Sequence, residues 1–514
     1  MRGRPNILLI TTDQQRWDSL GCAGNPAATT PHLDALAAAG VLAERAYCPN
    51  PVCTPSRASI VTGRMPSGHG AWNVGVNLPG DNPSFAAELA RHGYRTALIG
   101  KAHLQAWGAK PGESVEAGSG AAARFQRLGW NGPYYGFEHV ELSIGHVMWG
   151  LGGHYKLWLR GKGLTDEDFT RYSKARLVAG EGQVAAFDWN LPLELHSSVW
   201  TAERAVAQLE RFAASGEPFA LWASFQDPHH PFAVPEPYDR PREGARELPF
   251  VEGELDDKPP HFRTIREGRL AGSPYLGEYP MAGQHTGQDY RLVGPEWAHA
   301  NIDRYLGMVE LMDHETGRIL AALDLLGLAE NTLVVFTSDH GELLGEHGIW
   351  MKGPLHYDGV LRVPLLARWP RGLPAGRSDA HLASLTDLAP TFLAAAGVPV
   401  PPEMDGGTSL LPQWRGEGVV RSAAFVECVD DPGTLDLATV VTATHKLTAY
   451  RGGAYAGREA EVGELYDLES DPGELVNRWL DPAYREVKEE LVAMLAGRLP
   501  SRDARRMAPR IASV

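Results

Sequence analysis

The segment from Cys53 to Gly63 places a cysteine, a proline and a fixed cation within one short run, Cys-Thr-Pro-Ser-Arg-Ala-Ser-Ile-Val-Thr-Gly. Proline suits the first turn of a helix, and residues from Arg57 to Thr62 can be helical until Gly63 ends the helix. Cys53 would then lie just before a helix N-terminus, where the backbone dipole favours negative charge. A thiol in that position is a candidate nucleophile. The alternative interpretation is an ordinary buried cysteine at a turn.

Four further polar clusters each follow a short apolar run that is typical of a buried strand. They are Asp13-Gln14, Lys101 with His103, His229-His230, and Asp339-His340. In open α/β sheets, ligands bind beyond the carboxyl ends of the strands. We therefore expect these side chains to meet Cys53 at one edge of a parallel sheet. Taken singly, Asp13 could be a turn residue and Asp339-His340 a salt-bridged loop.

The elements that must position these side chains alternate between apolar strands and amphipathic helices. This alternation predicts an α/β fold with a mostly parallel sheet. The predicted strands include 7–12, 94–99, 219–225 and 333–337, and the predicted helices include 84–92, 201–214 and 302–326. Residues of about 108–198 and 233–295 are rich in Gly and aromatic residues or Pro, and we expect insertions and loops around a cleft. A Pro-rich turn predicts a catalytic domain over 1–397 and a smaller subdomain over 398–514.

The Cys-x-Pro-x-Arg motif with its continuation resembles the signature of the formylglycine-dependent (type I) sulfatases of the alkaline phosphatase superfamily. The Gly-Lys-x-His motif at 100–103 and the Leu-Tyr-Asp-Leu-x-x-Asp-Pro segment at 465–472 extend the resemblance over most of the chain. The motifs are nearest to choline-sulfatase-like and iduronate-sulfatase-like members, with some phosphonate monoester hydrolase features. The resemblance implies an alkaline-phosphatase-like large, mostly parallel sheet flanked by helices. It also implies a smaller C-terminal α+β subdomain with a short antiparallel sheet.

The resemblance further implies that Cys53 is oxidised to formylglycine, whose hydrate is the nucleophile. Asp13, Gln14, Asp339 and His340 would bind one divalent cation together with residue 53. Gln14 replaces the second aspartate of the family's usual Asp-Asp pair and so removes one negative charge. We expect Ca²⁺, which prefers oxygen ligands. Mn²⁺ is the alternative, because His340 and a neutral amide suit it as well.

The resemblance also implies roles in orientation and proton transfer. Arg57 would orient the nucleophile, and Lys101 would bind a sulfuryl oxygen. His103 would take a proton from the second formylglycine hydroxyl and so expel sulfate. His229 would be the general acid for the leaving group, assisted by Lys352. Two further histidines, His230 and His347, are either supporting or structural.

One alternative function is a phosphonate monoester or phosphodiester hydrolase that uses the same nucleophile and metal. Gln14 and His340 are compatible with that branch. Lys101 and His103 favour a sulfatase, because that branch lacks this pair. An asparagine that choline sulfatases and that branch place after the nucleophile helix falls on Val74 here, beside Asn73. This contact therefore stays open in either interpretation.

Another alternative is a catalytically silent member that binds a sulfated ligand. The complete set of nucleophile, metal and proton-transfer positions favours an enzyme. Choline, aryl, alkyl and sugar sulfates all stay open as substrates. Trp149 and Trp158, in a Trp-rich insertion, hint at an apolar or cationic leaving group.

Composition excludes some classes of protein. The 514 residues carry a formal net charge of -15, which argues against a nucleic-acid binder. The four cysteines form neither a metal-type pair nor a disulfide-dense pattern. No stretch is apolar enough for a signal sequence or a membrane span, so we expect a soluble, cytoplasmic protein. Its expected partners are a small-molecule sulfate ester and a formylglycine-generating maturation enzyme, with homo-oligomerisation open.

Overall fold

The structure is a computed structural model, and it describes residues 3–118, 120–145, 151–174, 176–181, 184–245, 250–269, 288–431, 435–500 and 504–511. The strands of the main sheet are β1 (Asn6–Thr12), β2 (Val41–Tyr47), β3 (Arg95–Gly100), β4 (His139–Ile144), β7 (Phe219–Ser224), β9 (Thr332–Ser338), β10 (Arg362–Val363), β11 (Leu365–Arg368) and β12 (Arg377–Ser384). Two smaller sheets contain β5 (Arg176–Glu181), β6 (Val184–Asp188), β8 (Phe232–Val234), β13 (Ala424–Asp431), β14 (Leu435–Val441), β15 (His445–Tyr450) and β16 (Gly463–Asp467).

The helices are distributed along the whole chain. They are α1 (Pro31–Ala38), α2 (Cys53–Thr62), α3 (Pro66–His69), α4 (Phe85–Arg91), α5 (Ala121–Leu128), α6 (Gly153–Gly161), α7 (Asp166–Tyr172), α8 (Ser197–Ser215), α9 (Pro260–Arg266), α10 (Pro295–Leu325), α11 (Asp358–Leu361), α12 (Leu388–Ala396), α13 (Leu411–Arg415) and α14 (Arg485–Arg498). Among the residues that the structure describes, no helix is both long and apolar enough to cross a bilayer.

The main sheet is mostly parallel, as predicted. Its strand order is β10-β2-β11-β9-β1-β7-β3-β4, and β12 pairs with β2. The strands β9, β1, β7, β3 and β4 are parallel to one another, whereas β11 runs antiparallel to both β9 and β2. The carboxyl ends of four adjacent strands therefore meet at one edge, where the sequence places its polar clusters.

The central strand shows why this sheet needs helices on both faces. Leu8 and Ile10 of β1 belong to one hydrophobic core, and Ile7 and Leu9 belong to another. Side chains alternate between the faces of a strand, so the continuous apolar run is buried on both sides. Helices α8 and α10 cover the first face, and α2, α4 and α12 cover the second.

The C-terminal part contains a separate antiparallel sheet in the order β13-β14-β15-β16. Its core includes Leu447 and Leu465, which pack with Leu491 and Leu495 of α14. The fold class is therefore confirmed for both the large sheet and the small antiparallel sheet. The division of the chain at residues 397 and 398 stays a prediction.

The prediction of loops over 108–198 is wrong for much of that segment. It contains β4, which extends the main sheet, together with β5, β6 and helices α5 to α7. Strand β5 is half-buried or exposed along its length, so it lacks the alternation that predicts a strand. Trp158 lies on α6, where its indole N–H donates to Glu203 of α8 at 3.1 Å. Trp149 lies outside the described residues, as do 246–249 and 270–287 of the second predicted insertion.

Candidate active site

Helix α2 begins at Cys53 itself, whereas the sequence predicts that the helix starts after it. Val52 is the extended N-cap residue, and its carbonyl accepts the first helical hydrogen bond from Ser56 N–H at 3.2 Å. Pro55 is tolerated as the third helical residue because the first N–H groups of a helix have no intrahelical partner. The Cys53 side chain therefore lies in the first turn of α2, at the positive end of the helix dipole.

Four side chains converge at the carboxyl edge of the sheet. Ligand atoms of Asp13, Cys53, Asp339 and His340 all lie within 4.8 Å of one another, and all four residues are buried. The Cys53 Sγ lies 3.5 Å from Asp13 Oδ1 and 3.3 Å from His340 Nε2. His340 Nδ1 lies 2.9 Å from the carbonyl of Gly341, which directs Nε2 into the cluster.

Arg57 joins the two carboxylates of this cluster. It lies one turn after Cys53, and its side chain is fully buried. Its Nε donates to Asp339 Oδ2 at 2.6 Å, and its Nη2 lies 3.4 Å from Asp13 Oδ2. Its Nη1 donates to Ser224 Oγ at 2.8 Å and to the carbonyl of Lys101 at 2.9 Å. One guanidinium thus ties α2 to the ends of β1, β3, β7 and β9.

Two lysines complete the charge balance of the cluster. Lys101 donates a short hydrogen bond to Asp13, and Lys352 Nζ lies 3.0 Å from both Cys53 Sγ and His340 Nε2. Burial raises the pKa of the Cys53 thiol, but the charges of Lys101 and Lys352 help to outweigh it, and this pKa lies well below its usual value. Burial likewise raises the pKa of Asp13, yet the neighbouring lysines hold it well below its usual range.

Gln14 links the cluster to the histidine pair. Its backbone N–H donates to Asp339 Oδ1 at 3.1 Å, and its side-chain amide donates to Glu342. Its Oε1 lies 3.2 Å from His230 Nδ1. The His229 ring stacks on the His230 ring with 4.1 Å between centroids. The structure therefore places His229-His230 beside the cluster.

Several predicted positions lie elsewhere or are occupied differently. His347 stacks on Tyr357 at 3.6 Å between ring centroids and pairs with Glu254 at 3.4 Å, which makes it a packed histidine of a neighbouring segment. The Asn73 amide donates to the backbone carbonyls of Val429 and Asp430. Val74 packs against Val52, directly before Cys53. The position that an asparagine would occupy is therefore apolar.

Sequence reasoning missed Glu342 and Ser224 as partners of the site. Glu342 holds the Gln14 amide, and Ser224 holds the Arg57 guanidinium. Glu342 lies in the run Ser338-Asp339-His340-Gly341-Glu342, so its nearness to the motif was the available signal. Ser224 is the last residue of β7, where strand direction alone could have indicated it.

The donor set at this edge fits a divalent cation. Asp13, Asp339 and the Gln14 amide offer oxygen atoms, and His340 offers Nε2. Carboxylate and amide oxygens suit Ca²⁺, while the imidazole nitrogen is also compatible with Mn²⁺. Ligand atoms of Asp13, Asp339 and His340, together with the Cys53 thiol, lie within 4.8 Å of one another, which is close enough for groups that share one ion. A thiol at residue 53 is a poorer partner for a hard cation than a hydroxyl would be.

Helix α2, which carries Cys53, contacts the buried side chain of His69. His69 Nε2 lies 3.0 Å from Ser59 Oγ of α2, and its Nδ1 accepts from Ala71 N–H at 3.1 Å. Burial lowers the pKa of His69 from its usual value near 6.5 to about 3. The folded protein therefore keeps this ring neutral between those two values, whereas the unfolded chain protonates it.

We expect His69→Gln to reduce the acid sensitivity of folding. Because the unfolded state binds the extra proton, His69 makes the free energy of unfolding fall as the pH drops from 6.5 towards 3. Between pH 7 and pH 5 this loss is about 2 kcal/mol for one such group. Urea denaturation at both pH values should show a smaller difference for His69→Gln than for the wild type. The exposed His92→Gln is the matched control, and an unchanged pH dependence in His69→Gln would contradict the interpretation.

Comparisons with known proteins agree with this fold. The sulfatase family profile matches residues 5–398, and the profile of the N-sulphoglucosamine sulphohydrolase C-terminal region matches residues 345–499. An arylsulfatase of Clostridium perfringens is 26% identical over 97% of this chain and 95% of its own length. An N-acetylglucosamine-6-O-sulfatase of Bacteroides thetaiotaomicron is 26% identical over 96% of this chain and 86% of its own length.

A solved structure of a similar protein comes from another branch. The phosphonate monoester hydrolase of Agrobacterium radiobacter superposes with a TM-score of 0.77 and 28% identity, and the match covers 96% of each chain. The family profile and the named relatives identify a hydrolytic enzyme. The chain belongs to the sulfatase family, the type I sulfatases of the alkaline phosphatase superfamily.

Proposed function

We propose that this enzyme hydrolyses a sulfate monoester to an alcohol or phenol plus sulfate, with formylglycine at position 53 and one divalent cation. The observation that carries the proposal is the convergence of Asp13, Cys53, Asp339 and His340 within 4.8 Å. A maturation enzyme would convert Cys53, whose side chain is 2% exposed in the folded protein. We infer that conversion precedes complete folding, because the thiol is inaccessible afterwards.

The charges around the cluster suit an anionic substrate. Asp13 and Asp339 contribute two negative charges, and Arg57, Lys101 and Lys352 contribute three positive ones. With a neutral formylglycine hydrate in place of the thiol, these five side chains carry one positive charge in excess. A bound divalent cation would add to this excess, neutralise charge on the sulfuryl oxygens and favour the ionised form of the hydrate.

In the first step, the hydrate loses one hydroxyl proton to solvent, the resulting oxyanion attacks sulfur, and the bond from sulfur to the ester oxygen breaks. Arg57 holds the carboxylates around residue 53, and Lys101 and Lys352 stabilise negative charge on the sulfuryl group. The leaving oxygen takes a proton from His229. Burial and the charge of Lys352 lower the pKa of His230 well below its usual value, so His230 is neutral and a poor acid.

In the second step, His103 takes the proton of the remaining hydroxyl of the sulfated hydrate. The carbonyl double bond forms as the bond from carbon to the sulfate oxygen breaks, so sulfate leaves without attack of water on sulfur. Water then adds to the aldehyde and restores the hydrate. His103 lies two residues after Lys101, in the loop that follows β3. That placement supports a role on the sulfate side of residue 53.

The second candidate function is hydrolysis of a phosphonate monoester. The observation that favours it is the superposition on the Agrobacterium phosphonate monoester hydrolase over 96% of this chain. The contact between Lys101 and Asp13 favours the sulfatase, because it brings the Lys-x-His motif directly to the cluster. The alcohol or phenol released stays open among choline, aryl, alkyl and sugar sulfates.

Side-by-side rates separate the two candidates. The protein would be produced together with a formylglycine-generating enzyme and assayed with Ca²⁺ or Mn²⁺. We expect a higher kcat/KM on 4-nitrophenyl sulfate than on 4-nitrophenyl phenylphosphonate, and we expect Lys101→Met to remove most of the sulfatase activity. Lys110→Met, at an exposed position after the same strand, is the matched control. A clear preference for the phosphonate ester would overturn the assignment.

A further inference from the structure

The loop after β3 is bound by one buried carboxylate, that of Glu116. Backbone N–H groups of three consecutive residues donate to it: His103 to Oε2 at 2.8 Å, and Leu104 and Gln105 to Oε1 at 2.9 and 3.1 Å. The Tyr134 hydroxyl also donates to Oε1, at 2.6 Å. Glu116 is 4% exposed, so water competes little for these contacts.

His103, whose N–H donates to Glu116 Oε2, has an unusual backbone conformation. His103 has a φ of 52°, in the left-handed region that residues other than glycine rarely adopt. Such a conformation persists only where the surrounding structure compensates for it. Three successive N–H groups directed at one anion provide that compensation, since they form a concave anion site of backbone amides.

The loop is also held at its start, which leaves His103 as the residue between two anchors. The carbonyl of Lys101 accepts from Arg57, and the Lys101 N–H donates to the backbone carbonyl of Ser224 at 2.9 Å. Glu116 holds the other side, from residue 103 onward. The direction in which the His103 imidazole leaves the backbone therefore depends on the hydrogen bond to Oε2.

We propose that Glu116 is a positioning residue that fixes the backbone of His103 so that its imidazole can take the proton in the second step. This inference rests on the proposed function. Glu116 acts through hydrogen bonds to neutral donors, and it contacts neither the substrate nor residue 53 in this role.

The Glu116→Gln variant tests the hydrogen bond to Oε2 separately from the hydrogen bonds to Oε1. The amide oxygen can replace Oε1 and keep Leu104, Gln105 and Tyr134, but the amide NH₂ then faces the N–H of His103. We expect kcat on 4-nitrophenyl sulfate to fall about tenfold, as for a lost charge-assisted hydrogen bond, with KM changed less than about twofold. Hydrogen exchange of the peptide containing residues 101–106 should become faster.

A double-mutant cycle shows whether this loss acts through His103. In a His103→Ala background, Glu116→Gln should lower kcat by less than about twofold, because the group that it positions is gone. Tyr134→Phe is the matched control, since it removes a donor to Oε1 and leaves the His103 contact intact. We expect its kcat to stay within about threefold of the wild type.

Three results would overturn the proposal. Equal losses of kcat in the wild-type and His103→Ala backgrounds would show a general structural role. Unchanged exchange and unchanged kcat in Glu116→Gln would show that the hydrogen bond positions nothing. A wild type that hydrolyses neither sulfate nor phosphonate esters would refute the proposed function and this role with it, whereas the first two results refute only the role of Glu116.

Discussion

Cys53→Ala is expected to abolish ester hydrolysis while the protein stays folded. The variant removes the thiol whose oxidation gives the aldehyde at this position. We therefore expect kcat to fall by roughly four orders of magnitude or more. The side chain is small and buried, and the Lys352 ammonium keeps His340 at 3.0 Å and Asp13 at 3.9 Å. The change in free energy of unfolding should therefore stay within about 1 kcal/mol. Initial rates and urea denaturation measure the two quantities.

Cys48→Ala is the matched control for this variant. Cys48 is also a buried free cysteine, and its Sγ contacts the carbonyl of Val360 at 3.7 Å. We expect Cys48→Ala to keep turnover close to that of the wild type. Retained activity in Cys53→Ala would mean that the nucleophile is a different residue.

Arg57→Gln should give the largest loss of stability among single changes at the site. The guanidinium is fully buried and joins Asp13 and Asp339, so its removal leaves two carboxylates facing each other without their shared cation. Breaking a buried ion pair by removing one partner costs about 3–5 kcal/mol. Activity should be lost as well, because α2 is then no longer tied to the strand ends. Thermal and urea unfolding test this expectation. Circular dichroism at about 25 °C checks beforehand that the variant is folded under the starting conditions.

Two variants sharpen the interpretation of Arg57→Gln. Arg64→Gln removes a partly exposed arginine just after the same helix, where the ion pair with Asp405 spans 3.7 Å. Surface pairs of this kind contribute at most about 1 kcal/mol. Arg57→Lys keeps the charge but cannot donate to both carboxylates in the geometry of a guanidinium, so it should recover only part of the stability. A stability loss in Arg57→Gln no larger than in Arg64→Gln would contradict the bridging role.

Much of the large sheet follows from the sequence because its strands are short, apolar and buried on both faces. The run from Ile7 to Thr12 and the run from Leu333 to Thr337 appear as adjacent parallel strands, β1 and β9, and each is followed by an aspartate of the cluster. Strand direction alone brings such residues together. The segment β5 could not be predicted in this way, since its residues are half-buried or exposed and show no period of two.

The missed contacts share a physical cause. Glu116 binds backbone N–H groups of residues 103–105. The pattern of side-chain types does not indicate where such backbone groups lie. The start of α2 at Cys53 depends on the extended backbone of Val52, which its residue type does not specify. The Gln14 amide is oriented by Glu342, which lies 328 residues after Gln14 in the sequence. Strand direction and the motif resemblance predicted the members of the cluster, and tertiary contacts determine their orientation.

The most direct test of the central claim is the chemical state of residue 53 in protein purified from its native source. Mass spectrometry of the peptide that contains Cys53 should show the mass loss for exchange of the thiol for an aldehyde. The rate of sulfate ester hydrolysis should rise in proportion to the converted fraction across preparations. An unmodified thiol throughout the native preparation, with or without ester hydrolysis, would contradict this account.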